Sequence, residues 1–210
     1  MATVDRSVRH RFRLLEGMIA AVGRKGYSAV TIAEVVAEAG VSKRTFYEHF
    51  DGKEDCLLAG YVEVSGELMA AVRQRLAIGS GTAPTLIHAV LATYLAFLDR
   101  SPQLAATLLI EVQRSGAHGR QVYRRHNLEF AMLIRDAVAA GRPATGEFDL
   151  DQSVALVGGV NELVLTHAED HPDLPFSALG PALLRFVRVV IGIAATDECP
   201  GTAPVGRSER

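Results

Sequence analysis

At 210 residues the chain can hold one large domain or two small ones, and a hydrophobic content of 49% with mean hydropathy +0.16 supports a substantial core. No run approaches the ~18–20 uninterrupted apolar residues of a membrane-spanning helix, and Cys56 and Cys199 are too widely separated to suggest a disulfide frame or a metal cluster. The net charge of −2 is unevenly spread: residues 1–53 carry nine Lys/Arg against six Asp/Glu, the remainder thirteen against eighteen, so positive charge gathers at the N-terminal end.

Residues 1–7 read as a loose arm. MATVDRSVRHRFRLLEG has charges where a signal peptide needs its apolar stretch, so a cytoplasmic protein is expected. From 8 to 24, Phe12, Leu15, Ile19 and Val22 recur at helical spacing, and Gly26 ends that helix. Thr31 is a candidate N-cap, with Glu34 three residues on completing a capping box. The helix it opens should end at Gly40, a C-cap position that favours positive φ. Val41 can plug the turn and Ser42 can cap a second helix. In that second helix Phe46 and Phe50, four apart, should share a core face, leaving Lys43, Arg44, Thr45, Tyr47 and His49 outside. Two short helices around a glycine turn, the second presenting basic, hydroxyl and aromatic groups, form a helix-turn-helix of the kind that reads the DNA major groove.

A long helix is expected over 53–77, broken by Gly79-Ser80-Gly81. Further helices follow over about 83–99, 101–116 (Ser101 as cap and Pro102 at its first position), 120–140, 149–168 and 178–196. No strand-like alternation or repeat interrupts them. The fold class is therefore all-α with about nine helices. Residues 1–52 form a helix-turn-helix domain, 53–196 a helical bundle for ligand binding and dimerisation, and 197–210 a disordered, Pro/Gly-rich tail.

The stretch VSKRTFYEHFDGKEDCL resembles the TetR family of bacterial transcriptional regulators: Phe46, Tyr47, Phe50, Lys53 and Glu54 stand in its pattern, and Thr31, Ile32 and Ala33 match the start of the preceding helix. Specific motifs cover residues 8–60; beyond them the resemblance rests on length and helical character. It implies a dimeric regulator, most often a repressor, released from a palindromic operator by a small-molecule effector and performing no chemistry. It also implies backbone contacts to DNA from Tyr47 and Lys53.

By residue chemistry, Lys43 and Arg44 suit guanine or phosphate, Thr45 a thymine methyl or phosphate, and Tyr47 and His49 phosphates. Thr31 and Ser42 stand at helix N-termini, which favour phosphate. Arg6, Arg9 and Arg13 can reach flanking DNA or form a solvated basic arm. In the bundle, Tyr94, Phe97, Gln113, Tyr123, His126, Phe130 and Asn161 are polar or aromatic residues among apolar ones, the composition of an effector pocket as well as of a plain core. Leu156, Val160 and Leu163, with Leu183, Phe186, Val187 and Val190, give the last two helices apolar stripes suited to a two-fold interface, and Gly158-Gly159 would allow close approach. His167 and His171 have metal-ligand spacing, but HAEDH has Ala168 where a zinc-protease helix needs a Glu directly after the first His, and Pro172 follows at once, so a solvated helix end is the better reading. No catalytic constellation or cofactor motif stands out. The alternatives are an all-α enzyme or carrier with a vestigial helix-turn-helix, and a DNA binder that answers to no effector.

Overall fold

The computed structural model describes residues 2–79, 83–100, 105, 107–141 and 148–192. Among them there are nine helices and no strand. In chain order these are α1 (Ala2–Lys25), α2 (Ile32–Ala39), α3 (Lys43–Tyr47), α4 (Lys53–Ile78) and α5 (Ala83–Asp99). Next comes α6, a π-helical turn Thr107–Glu111 running into an α-helical turn Val112–Arg114, followed by α7 (Ala117–Gly141) and α8 (Leu150–Asp170). A 3₁₀ turn, Phe176–Leu179, leads into α9 (Gly180–Ile191). The expected Ser101-Pro102 start and the 197–210 tail lie outside the described residues.

The N-terminal arm is a correction, since α1 starts at Ala2 rather than near residue 8. Periodicity locates a helix only where one face is buried, and Val8 and Phe12 here remain 62% and 47% exposed. Helical hydrogen bonding needs no burial, and no Gly or Pro occurs before Gly17 to stop it.

Two cores flank α4. Leu14, Met18 and Val22 of α1 pack with Val35 of α2, Phe46 of α3 and Phe50 beyond it. The second core joins Leu91, Leu95 and Leu98 of α5, Val112 of α6, Val122 of α7, Val164 of α8 and Leu183 of α9. Neighbouring residues of α4 serve both, Cys56 and Leu57 in the first and Leu58 and Tyr61 in the second. Each fully buried Leu or Phe contributes about 1.5–3 kcal/mol, so α4 is anchored from both sides and couples the halves without a linker. Ser153 Oγ donates to the Ala131 carbonyl at 2.6 Å, tying α8 to α7. The Asp99 carboxylate accepts from the Phe176 and Ser177 amides at 2.6 and 3.1 Å, satisfying the turn that opens α9.

Three expected interface residues belong instead to the subunit's own core. Leu156, Leu183 and Val187 are 4%, 0% and 4% exposed. Their stripes are wide because α8 and α9 are packed inside the bundle as well as at its surface. Val160, Leu163, Phe186 and Val190 keep partial exposure. Gly159 serves inside the subunit, where the Phe186 ring lies 2.5 Å from the place a Cβ would take, whereas Gly158 faces open space. His167 is buried, with Nε2 at 3.2 Å from the Pro175 carbonyl, and no group of three metal-ligating side chains occurs among the described residues.

Candidate functional site

The reading face is built from its caps upward. The Thr31 hydroxyl accepts from the Glu34 amide at 3.3 Å and lies 3.1 Å from the Glu34 carboxylate, which accepts from the Thr31 amide at 3.0 Å. Lys25 also bonds that carboxylate, and the pairing with Lys25 followed by the Thr31 bonds lowers the Glu34 pKa to about 2. The Thr31 side chain is thus committed to starting α2, which removes its hydroxyl from the candidate phosphate contacts. Gly40 ends α2 at φ 60, ψ 42, a left-handed conformation that favours glycine. Arg13 lies against this turn, its Nη2 at 2.5 Å from where a Cβ would sit. Arg11, which the sequence reading passed over, stacks on the Phe50 ring at 4.8 Å.

The Ser42 hydroxyl caps α3, accepting from the Thr45 amide at 3.0 Å, and shares a proton with the Thr45 hydroxyl at 3.0 Å. Whichever oxygen donates, one hydroxyl proton remains for a phosphate. Phe46 is fully buried and holds the Tyr47 ring edge-on at 5.4 Å, leaving Tyr47 59% exposed with its position set by a core residue. The Arg44 side chain is 90% exposed, and its Nε meets the Glu48 carboxylate at 3.2 Å one turn on. Such an exposed pair contributes only ~0.3–0.5 kcal/mol, so it yields readily to a base edge or a phosphate. Lys43 is exposed beside it and His49 is half-buried against Phe50.

Lys53 departs from the expected role. Its ammonium donates to the carbonyls of Tyr27 at 2.9 Å, Val30 at 3.0 Å and Ser28 at 3.4 Å, and sits 4.4 Å from the Tyr27 ring centre. Its three donors are engaged, so its side chain braces the 26–31 connection instead of facing a phosphate. Gly52 provides no side-chain cap to α4, so the first-turn N–H groups are what this end offers an anion.

The same connection is held from the bundle. Glu111, 7% exposed at the end of the π turn in α6, accepts from the Tyr27 amide at 2.5 Å and from Arg114 at 2.8 Å. Gly26, at φ 76, leaves room for the carboxylate, which would lie 3.2 Å from a Cβ there. Sequence reasoning missed this bond because its partners are 84 residues apart and Glu111 follows four residues of ordinary helical pattern.

Leu109, two residues before Glu111, lines a cavity in the bundle. The space open to the centre of a water molecule is about 110 Å³ there, and a second, apolar cavity of about 90 Å³ shares Val90, Leu91, Ile134 and Val157 as walls. Of the expected ligand residues, Tyr94, Tyr123, His126, Phe130 and Asn161 come together around the first cavity. Phe97 and Gln113 do not line it. Phe97 packs on Leu68 and Val72, and Gln113 donates to the Leu109 carbonyl at 2.6 Å within its own helix. Tyr61 and Ser65 line the cavity too and escaped notice because α4 reads as a connector.

Polar atoms there are few and mostly paired. The Tyr94 hydroxyl donates to Asn161 Oδ1 at 3.5 Å, and Asn161 Nδ2 donates to the Tyr123 hydroxyl at 3.4 Å. Burial raises the pKa of Tyr61 and Tyr94, keeping both phenols protonated. His126 packs edge-on to Tyr61 at 5.3 Å, with Nδ1 3.5 Å from the Glu129 carboxylate and a buried Nε2 that has no partner. Burial lowers the His126 pKa against the opposing pull of Glu129, with Arg125 adding to the lowering.

Residues 14–59 match the family model of bacterial regulatory proteins, tetR family. The chain is 28% identical over 129 residues to YerO of Bacillus subtilis (strain 168), described as an uncharacterized HTH-type transcriptional regulator; the match covers 60% of this chain and 44% of that protein, less than half its length. It is 22% identical over 180 residues to the fatty acid metabolism regulator protein of the same organism, covering 83% of this chain and 92% of that one. The structure of the transcriptional regulator FadR from Bacillus subtilis in complex with stearoyl-CoA superposes with a TM-score of 0.73 at 20% identity, covering 87% of this chain and 99% of that chain. No helix among the described residues is long and apolar enough to cross a membrane. Residues 14–59 thus carry the N-terminal domain of bacterial regulatory proteins of the tetR family, and the all-helical, nine-helix fold around it is the one seen in the FadR structure.

Proposed function

We propose that the protein is a ligand-responsive dimeric repressor, acting in the cytoplasm, that leaves a palindromic operator when a small molecule fills the bundle cavity. The observation that carries this reading is the Glu111–Tyr27 bond at 2.5 Å. It links the helix that walls the cavity at Leu109 to the connection from which the reading helices spring. A ligand acts only through differential affinity for two arrangements. One that displaces Leu109 shifts the π turn, and with it the carboxylate that holds Tyr27. A π turn is a register irregularity that one shift of hydrogen bonds can convert to α-helix, a common device at functional positions.

The effector is an elongated, predominantly apolar molecule. Support comes from the two adjoining apolar cavities and from the likeness to FadR, whose structure holds stearoyl-CoA. Arg44, Lys43, Thr45, Tyr47 and Ser42 form the DNA face, with Arg13 beside the turn. Dimerisation through the outer sides of α8 and α9 is supported by Val154 and Val189, 45% and 79% exposed, and by the open face at Gly158. A two-fold pair would then read half-sites ~34–36 Å apart or a multiple of that.

Selection of bound genomic fragments at stated salt, followed by effector titration on the recovered operator, tests this reading. Glu111→Gln keeps an acceptor for the Tyr27 amide but removes the charge. It should leave operator affinity within a few-fold and shift the effector concentration needed for release. Unchanged release across Glu111→Gln and Glu111→Ala would refute the coupling, and an operator that no compound releases would refute induction.

A further inference from the structure

From the hydrogen-bonding character of the cavity, we infer that the effector carries an uncharged head group that both donates and accepts a hydrogen bond, such as a primary amide or an alcohol, on an apolar chain. This rests on the proposed effector site and specifies its ligand. No Lys, Arg, Asp or Glu lines either cavity among the described residues. A carboxylate or phosphate buried there would therefore lack a counter-charge, which is strongly unfavourable in an apolar site.

The polar atoms that are present state what they need. His126 Nδ1 faces the Glu129 carboxylate at 3.5 Å, which favours the neutral tautomer with its proton on Nδ1. Nε2 is then a lone-pair acceptor, buried and without a partner, and it calls for a donor from the ligand. Asn161 and Tyr123 supply the complement. Their bonds to one another and to Tyr94 are long, 3.4 and 3.5 Å, and once made they leave the Tyr123 hydroxyl proton and one Asn161 N–H for a ligand carbonyl or hydroxyl. The second cavity, walled by Leu86, Ile87, Val138, Val160, Val187 and Ile191 among others, takes the chain. A buried acceptor left unpaired until the right ligand arrives is also a basis for discrimination, since an analogue without the donor leaves the site as unsatisfied as before.

The test uses the full chain and five probes: decanamide, decanol, 2-undecanone, decanoate and decanoyl-CoA. Their binding is measured by titration calorimetry at pH 8, with Phe130→Trp as the blocked cavity. Decanamide and decanol should bind wild type at least about tenfold more tightly than decanoate and decanoyl-CoA, and Phe130→Trp should abolish their binding. His126→Phe should weaken decanamide and decanol about tenfold, the equivalent of one hydrogen bond, and leave 2-undecanone, which has no donor, unchanged. Asn161→Leu, which acts on the acceptor side, should weaken all three, and melting curves of both variants confirm that they fold. If decanoate or decanoyl-CoA binds as tightly as decanamide and is blocked by Phe130→Trp, the uncharged head group is wrong while the cavity stands as the effector site. If His126→Phe weakens the ketone as much as the amide, the donor requirement is wrong. If none of the five binds, both the head group and the effector site fall.

Discussion

Lys53→Met separates two roles for one residue. As a phosphate contact, Lys53 would contribute to the electrostatic part of DNA binding, and its loss would reduce the slope of log K against log salt by about 1. As a brace, its ammonium holds the carbonyls of Tyr27, Ser28 and Val30 and covers the Tyr27 ring. Hydrogen bonds to a charged group are each worth about 1.5–3 kcal/mol and a cation–π contact about 0.5–1 kcal/mol. The three bonds share one half-exposed ammonium and do not add, so about 2–3 kcal/mol is expected for the methionine variant, which keeps the aliphatic stem. For a chain of this size that lowers Tm by about 4–12 °C. Calorimetric melting, with binding to operator and scrambled duplexes across a salt series, reads both roles at once. The brace predicts a lowered Tm, weaker binding to both duplexes through a looser turn, and an unchanged salt slope. An unchanged Tm with the slope reduced by about 1 would refute the reasoning and return Lys53 to the phosphate set.

Tyr47→Phe should weaken operator and scrambled DNA alike, while Arg44→Ala should in addition lose ~1–3 kcal/mol of discrimination at one base pair; competition binding on a set of single-base operator variants measures this. Val189→Glu, at an exposed site on α9, should give a folded monomer by light scattering, whereas Leu183→Glu, at a fully buried one, should fail to fold, costing more than about 4 kcal/mol. Reversed outcomes for this pair would place the dimer contact elsewhere. Because burial lowers the folded-state pKa of His126 from its ordinary 6.5, the unfolded chain takes up a proton that the folded ring resists. The stability held above the unfolded pKa should therefore fall as pH drops through about 6.5, and His126→Phe should flatten that part of a urea-midpoint profile.

The local features were legible in the sequence because their causes are local. The Thr31–Glu34 capping box, the left-handed Gly40, the Ser42 cap and the inward pair Phe46 and Phe50 follow from side-chain reach and backbone sterics within a few residues. The same holds for the helix count and the exposed set Lys43, Arg44 and Tyr47. What tertiary structure decided is where long side chains and apolar stripes end up. Lys53 looks like any cation near a reading helix until the fold brings three carbonyls, each more than twenty residues away in sequence, to its ammonium. An apolar stripe signals burial without naming the partner, so Leu156, Leu183 and Val187 read as an interface although the bundle itself covers them. The cavity depends on Tyr61, Tyr94, Tyr123, His126 and Asn161 meeting from four helices, and the Glu111–Tyr27 bond on a turn in α6 meeting one after α1. Such contacts arise from how helices cross, which the order of residues along any one of them does not specify.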